Sequence, residues 1–329
     1  MIGIDEERIR EVSLVLSNLK YSVDTFDDED YYPPQNSSKR DIFMYFLVMV
    51  SMDHRLIRRG KEIEGVIEGK HLRGSEVLYR LGSIKFKDDP SFFYPEKLSS
   101  IKEEDVRSWL SVENKGRRIY PDDIRIRTSL LRDLGIKLTK LYSDPFDIIV
   151  ESQGFLRKGT NDGFIDLLKV FKAYQDPVEK KAFLLAKFLE RRSVLKINDP
   201  YNKQLPIDNH LVRVAFRIGM LTADEATLEK MALGLSFSKD EDVLIRYEAR
   251  EAYRLLSQFS GIDPFILDDI FWSFGRNCCT EEKPSCLSCN EGCPRSFCEQ
   301  GCIFVKKCKA GSNKRYMVKE LKVAENWWY

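Results

Sequence analysis

No cysteine occurs in the first 277 residues of this 329-residue chain, and only three histidines, at 54, 71 and 210, occur in all of it. No Ser-His-Asp arrangement can be placed, which sets aside the serine-hydrolase class. There is no phosphate-binding P-loop and no dinucleotide-binding GxGxxG, so nucleotide hydrolysis and hydride transfer have no motif to stand on. The longest apolar run, Ile42 to Val50, is about half of what a bilayer span needs. The start, Met1-Ile-Gly-Ile-Asp-Glu-Glu-Arg, is charged and does not resemble a secretory leader, so a cytoplasmic protein without membrane contact is expected. No internal repeat or low-complexity linker marks a domain boundary.

Charge is balanced overall, with a net of +1, but it is unevenly spread. Five acids lie between Asp24 and Asp30, and seven Lys or Arg against one Glu lie between Lys306 and Lys322. The basic segment is either a phosphate-binding surface or a solvated end.

All eight cysteines fall between Cys278 and Cys308. In a reducing compartment such crowding favours a metal centre over disulfides. The first well-spaced set is Cys279-x6-Cys286-x2-Cys289, followed by Cys293-Pro294. Zinc sites usually pair two CxxC knuckles, and only Cys286 and Cys289 form one. The spacing therefore favours a [4Fe–4S] cluster, with zinc as the alternative. Cys279, Cys286 and Cys289 are the expected ligands, the fourth being Cys293 or Cys298. Cys278, Cys302 and Cys308 are left as free thiols, a second site or a disulfide.

The rest reads as mostly helical. Ile9, Val12, Leu16 and Leu19 mark one helix face. A second helix runs from Asp41 to about Met52, and a third covers Leu130 to Leu141. Gly60 to Gly74 suits a hairpin. Five Asp-Pro pairs suit helix starts. Asp176-Pro-Val-Glu179, Thr222-x-x-Glu225 and Ser238-x-x-Glu241 have capping-box spacing. The clearest compositional shift is near Cys278, and soft boundaries divide the chain into 1–150, 151–277 and 278–329.

Leu205-Pro-Ile-Asp-Asn-His-Leu-Val-Arg-Val-Ala-Phe-Arg-Ile-Gly219 predicts a helix capped by Asp208, buried along Leu211, Val214, Ala215 and Ile218, and ended by Gly219. A capping carboxylate faces the positive end of the helix dipole, which favours its charged form. Beside a sugar C1′ it would stabilise an oxocarbenium-like transition state or attack it.

Two segments together resemble the endonuclease III branch of helix–hairpin–helix DNA glycosylases. One is Asp208-Asn-His210 with Arg213-Val214, and the other is Ile270-Phe-Trp-Ser-Phe-Gly-Arg-Asn followed by Cys279, Cys286 and Cys289. The resemblance implies a helix–hairpin–helix glycosylase-like helical fold with a C-terminal cysteine-rich metal loop. It implies excision of a base from DNA, with Asp208 catalytic and Lys180 as the nearest match to an amine nucleophile. On a helix surface Lys180 is otherwise a solvated charge. Two features depart from the family. Its last cysteine gap is five residues, yet position 295 is Arg, and Phe171 to Ala182 holds no glycine where the family has a Gly-x-Gly hairpin for the DNA backbone.

A second resemblance, to queuosine-salvage N-glycosidases, covers more of the chain. It rests on Tyr120-Pro-Asp-Asp-Ile-Arg125, Phe171 with Lys180-Lys-Ala182, the Asp208 segment and Asp269-Ile-Phe-Trp272. It implies a modified nucleoside or nucleotide, such as a tRNA-derived one, as substrate. A third possibility is a non-catalytic nucleic-acid-binding iron–sulfur protein. In either glycosidase, Phe46 and Asp53 with His210 are the expected base-binding residues, since aromatics sandwich a flipped base and an acid reads its edge. The same aromatics also suit a core. The closing Trp327-Trp328-Tyr329 is expected to dock on the body.

Overall fold

The computed structural model describes residues 2–286, 297, 301–323 and 326–329. It is mostly helical and divides into two compact units, Met1–Asp24 with Lys203–Asn326, and Thr25–Asn202 with Trp327–Tyr329. The soft boundaries expected at 150 and 277 do not coincide with the limits of these units. Among the described residues no helix is long and apolar enough to cross a membrane.

In the first unit, strand Ile2–Ile4 pairs antiparallel with Leu221–Ala223. Helix Glu6–Leu16 starts at Asp5, whose carboxylate accepts from Arg8 N. It packs against the long helix Lys239–Ser260 through Ile9, Val12 and Leu16, all buried. Leu19 lies beyond the helix, because a turn at Ser17-Asn18 ends it. The Ser238 capping box forms with Glu241. The Thr222 box does not, since Thr222 belongs to the strand and Asp224 caps helix Glu225–Leu233 instead. Helix Asn209–Ile218 is this unit's central element. Nearly every residue of it is buried, and it packs against both Pro264–Asn277 and Lys239–Ser260.

In the second unit, helix Lys39–Ser51 is buried on all sides from Ile42 to Ser51, as its continuous apolar run requires. Ser38 caps it, and Asp41 stands in its first turn. It packs against Lys180–Arg191 and Ser75–Asp88. Strands Glu64–Ile67 and Lys70–Arg73 form the expected hairpin, turning at Gly69 with φ +79°. Strands Val112–Asn114 and Arg117–Ile119 extend it to a four-stranded antiparallel sheet. Helix Ile124–Leu141 begins six residues before the expected start and crosses Pro95–Ser100 at Gly135, where a Cβ would stand 2.4 Å from Ser99 N.

The Asp176 box is also replaced by another arrangement. Glu179 adopts φ 62°, and helix Lys180–Arg191 starts after it. The Asp176 carboxylate accepts from Val178 N at 3.0 Å and Lys180 N at 2.9 Å. Glu179 faces away and pairs with Lys169 at 3.0 Å and with Arg157. The docking expected of the C-terminal aromatics is seen at Tyr329, which is buried.

Candidate functional site

Each unit presents a cluster of polar groups. In the first, Asp208 is extended (φ −116°, ψ −174°), and its Oδ1 accepts from Leu211 N at 3.0 Å. The carboxylate is half-buried and makes no ion pair among the described residues. His210, two residues on, lies parallel to the Trp272 ring at 6.2 Å, with Nδ1 3.3 Å from Glu320 Oε1. The imidazole is partly exposed, between the Trp272 ring and the Glu320 carboxylate.

Following His210 along the same helix are two buried arginines, Arg213 and Arg217. Arg213 pairs with Glu320 and donates to Gly275 O (2.6 Å) and Cys279 O (3.0 and 3.1 Å). Arg217 donates to Val318 O, Thr280 O and Glu281 O at 3.0, 2.7 and 2.8 Å, and reaches Cys279 Sγ at 3.6 Å. The two guanidiniums therefore hold the start of the cysteine segment against the helix that begins at Asp208. Gly275 permits this approach, because a Cβ there would lie 3.0 Å from His210 Cβ.

Of the expected cysteine ligands, Cys279 and Cys286 are described and carry free thiols, whereas Cys289, Cys293 and Cys298 lie outside the described residues. Cys302 and Cys308 are also free thiols, and Cys278 is disulfide-bonded. Burial pushes the Cys302 thiol up to about 12, with the neighbouring Cys279, Cys308 and Cys286 adding to the shift. Burial likewise raises Cys286 and Cys308. Among the described residues no group of three or more His, Cys, Asp or Glu side chains is placed to hold a metal ion.

In the second unit, Lys180 and Asp53 come together. Lys180 Nζ donates to Asp53 O at 3.0 Å and Oδ1 at 3.3 Å, and Tyr79 donates to Asp53 Oδ2 at 2.8 Å. Lys180 is thus buried and paired, not a solvated surface charge. Phe46 is wholly buried and stacks on Phe188 at 4.9 Å, so it serves the core. A cavity of about 200 Å³ is lined by Arg125, Ile126, Ser129, Leu130, Lys172 and Trp327, and by none of the expected site residues.

Four neighbours of Lys180 and Asp53 were not anticipated as a group. Lys181 Nζ reaches Ser51 O at 2.6 Å, Trp327 O at 2.7 Å and His54 Nδ1 at 3.3 Å. His54 Nε2 meets Asp123 Oδ2 at 2.8 Å, and Arg127 Nε donates to Asp123 Oδ1 at 2.8 Å. The signal for this chain was the four-residue spacing of Asp123 and Arg127, which places both on one helix face.

Burial, then the charges of Arg127 and Lys181, hold the His54 pKa well below the usual histidine value. Burial and the Lys180 charge lower Lys181 in the same way. Burial opposes ionisation of Asp123, but its hydrogen bond to His54 and the Arg127 charge outweigh that and hold it well below the usual carboxylate range. In acid the unfolded chain therefore binds more protons at both His54 and Asp123, so stability falls with falling pH. The loss should begin below about pH 6.5 from His54 and deepen below about pH 4 from Asp123. Thermal unfolding followed against pH checks this. His54→Gln should flatten the upper part of the curve and leave the lower part, and an unchanged upper slope would exclude His54 as its source.

No family model matches the chain, and no curated protein matches it either.

Proposed function

We propose that this protein hydrolyses the N-glycosidic bond between a base and a sugar, with Asp208 as the catalytic carboxylate. The observation that carries this reading is the construction of one helix, Asn209–Ile218. It presents a half-exposed carboxylate with no cation partner among the described residues at its start, and it anchors the cysteine segment through Arg213 and Arg217. The helix start holds Asp208 in place through Leu211 N and leaves Oδ2 unoccupied by any described donor. In the proposed reaction the C1′–N bond breaks, a water oxygen bonds to C1′, and the departing base takes a proton. Asp208 stabilises the positive charge that develops on the sugar. Lys180 is committed to Asp53, so attack by water is proposed in place of attack by an amine. A [4Fe–4S] cluster in the cysteine segment would have a structural role and would shape the basic residues after it for phosphate contact.

Base excision from DNA is the first substrate reading. A second, a single modified nucleoside or nucleotide, is favoured by Asp176. Its carboxylate already occupies the N–H groups of Val178 and Lys180, in a segment without glycine, where a DNA-binding hairpin would offer free N–H groups to phosphate. The test is chromatographic detection of released bases from damaged DNA, tRNA and modified nucleotides. Release from DNA supports the first reading, and release from free nucleotides alone supports the second. Binding without release from any of them would overturn the enzymatic reading and leave a non-catalytic nucleic-acid-binding protein.

A further inference from the structure

The cavity of about 200 Å³ in the second unit has no part in the glycosidase reading. Its walls come from three stretches of chain. Helix Ile124–Leu141 supplies Arg125, Ile126, Ser129 and Leu130, the turn Lys172–Tyr174 supplies Lys172, and the C-terminal segment supplies Trp327. Arg125 with Ser129, and Ile126 with Leu130, stand four residues apart, so each pair lies along one line of the helix surface. The lining thus joins an aromatic ring and two aliphatic side chains to a hydroxyl and two cations. A void left by imperfect packing is lined by apolar groups alone, and this one is not.

The protein does not neutralise these two cations. Among the described residues the Arg125 side chain makes no hydrogen bond or ion pair, and the Lys172 ammonium has only the Trp327 ring, 5.9 Å from its Nζ. Asp133 reaches the same turn, but its carboxylate is taken. It accepts from Lys172 N at 2.7 Å and pairs with Lys137 at 2.6 Å. The indole wall is fixed from behind. Lys181, wholly buried, donates from Nζ to Trp327 O at 2.7 Å and to Ser51 O at 2.6 Å, and Tyr329 is buried two residues on. A wall set in advance loses little freedom when a ligand arrives, and that favours binding.

We propose that this cavity is a binding site for a small aromatic anion, a single planar ring bearing one anionic group. The ring lies among Trp327, Ile126 and Leu130. The anionic group takes charge-assisted hydrogen bonds from Arg125 and Lys172, with the Ser129 hydroxyl as a further donor. Size sets the limit. Pockets that enclose drug-sized ligands hold about 300–1,000 Å³. A cavity of about 200 Å³ admits a ring with its substituent, and not a base, sugar and phosphate together. The site is therefore distinct from the proposed glycosidase chemistry and does not depend on that reading.

Benzoate and phenyl phosphate are the probes, with benzamide as a neutral ring of similar size. Titration of the full-length protein, followed by saturation-transfer NMR, should show saturable binding of at least one anion, about tenfold or more tighter than benzamide. The tighter of the two names the group, a carboxylate or a phosphomonoester. Arg125→Ala with Lys172→Ala, both at exposed positions, should weaken the anion by about tenfold or more and leave benzamide unchanged. Arg125→Lys with Lys172→Arg keeps the charge and should keep the preference for an anion. Trp327→Ala retains the carbonyl that Lys181 holds, and should weaken all three probes. Far-UV circular dichroism reports whether each variant is folded. No saturable binding of either anion up to about 10 mM would overturn the proposal. So would an affinity no better than that of benzamide, or anion binding untouched by the double alanine variant.

Discussion

Asp208→Asn is expected to reduce base release by about a thousandfold while leaving the protein folded. The separation follows from the two tasks the residue performs. As a cap it needs only an oxygen that accepts from Leu211 N, and asparagine supplies one as well as aspartate does. As a catalytic group it needs a full negative charge beside C1′, which asparagine lacks. Asp208→Ala removes both, and should add a stability loss of about 1 kcal/mol from the missing cap. Paired measurements of base release and thermal midpoint distinguish the roles. If the asparagine variant kept wild-type turnover, Asp208 would be a cap alone, and the helix would owe its burial to packing. Losing only Km, with kcat intact, would move Asp208 from the reaction to substrate binding.

The parts of this site that could be read in advance are those set by local chemistry. Asp208 and Gly219 bracket their helix as expected, because a cap and a left-handed terminator act within one turn of chain. The hairpin at Gly69 is legible for the same reason. The capping box at Asp176 was misplaced because tertiary partners compete for its members: Arg157 and Lys169 claim Glu179, and the chain turns left-handed there. Strands Val112–Asn114 and Arg117–Ile119 are three residues each, too short to show alternation, and exist by pairing with Glu64–Ile67.

Of the expected cysteine ligands, only Cys279 and Cys286 lie among the described residues. A CxxC pair is adjacent in sequence, so spacing makes Cys286 and Cys289 expected ligands, and Cys289 lies outside the described residues. The hydrogen bond from Cys302 N to Cys286 O at 3.4 Å joins residues that spacing alone does not pair. Lys180 was hidden in a different way. Its context, Glu-Lys-Lys, looks exposed, but Lys180 is buried and paired with Asp53, which follows the end of helix Lys39–Ser51 more than a hundred residues earlier.

Arg127→Ala should be the most destabilising single substitution in the second unit, at about 3–5 kcal/mol, measured by urea or thermal unfolding. The side chain is fully buried and serves four acceptors: Asp123 Oδ1 at 2.8 Å, Met52 O at 2.6 Å, Arg55 O at 2.9 Å and His54 O at 3.3 Å. Alanine leaves three carbonyls and one carboxylate oxygen without that donor, each costing on the order of 1–3 kcal/mol where water cannot replace it, with contributions that do not simply add. Arg127→Lys should recover little, since an ammonium cannot reproduce the planar fork that reaches four oxygens. The carbonyls of Met52, His54 and Arg55 flank Asp53, so the loss should also loosen the Asp53–Lys180 pair. A double substitution, Arg127→Ala with Asp53→Asn, should then cost less than the two single effects combined. Strict additivity would show that the arginine stabilises the helix end without setting the position of Asp53. A loss under about 1 kcal/mol would mean that water enters the site and satisfies the freed carbonyls.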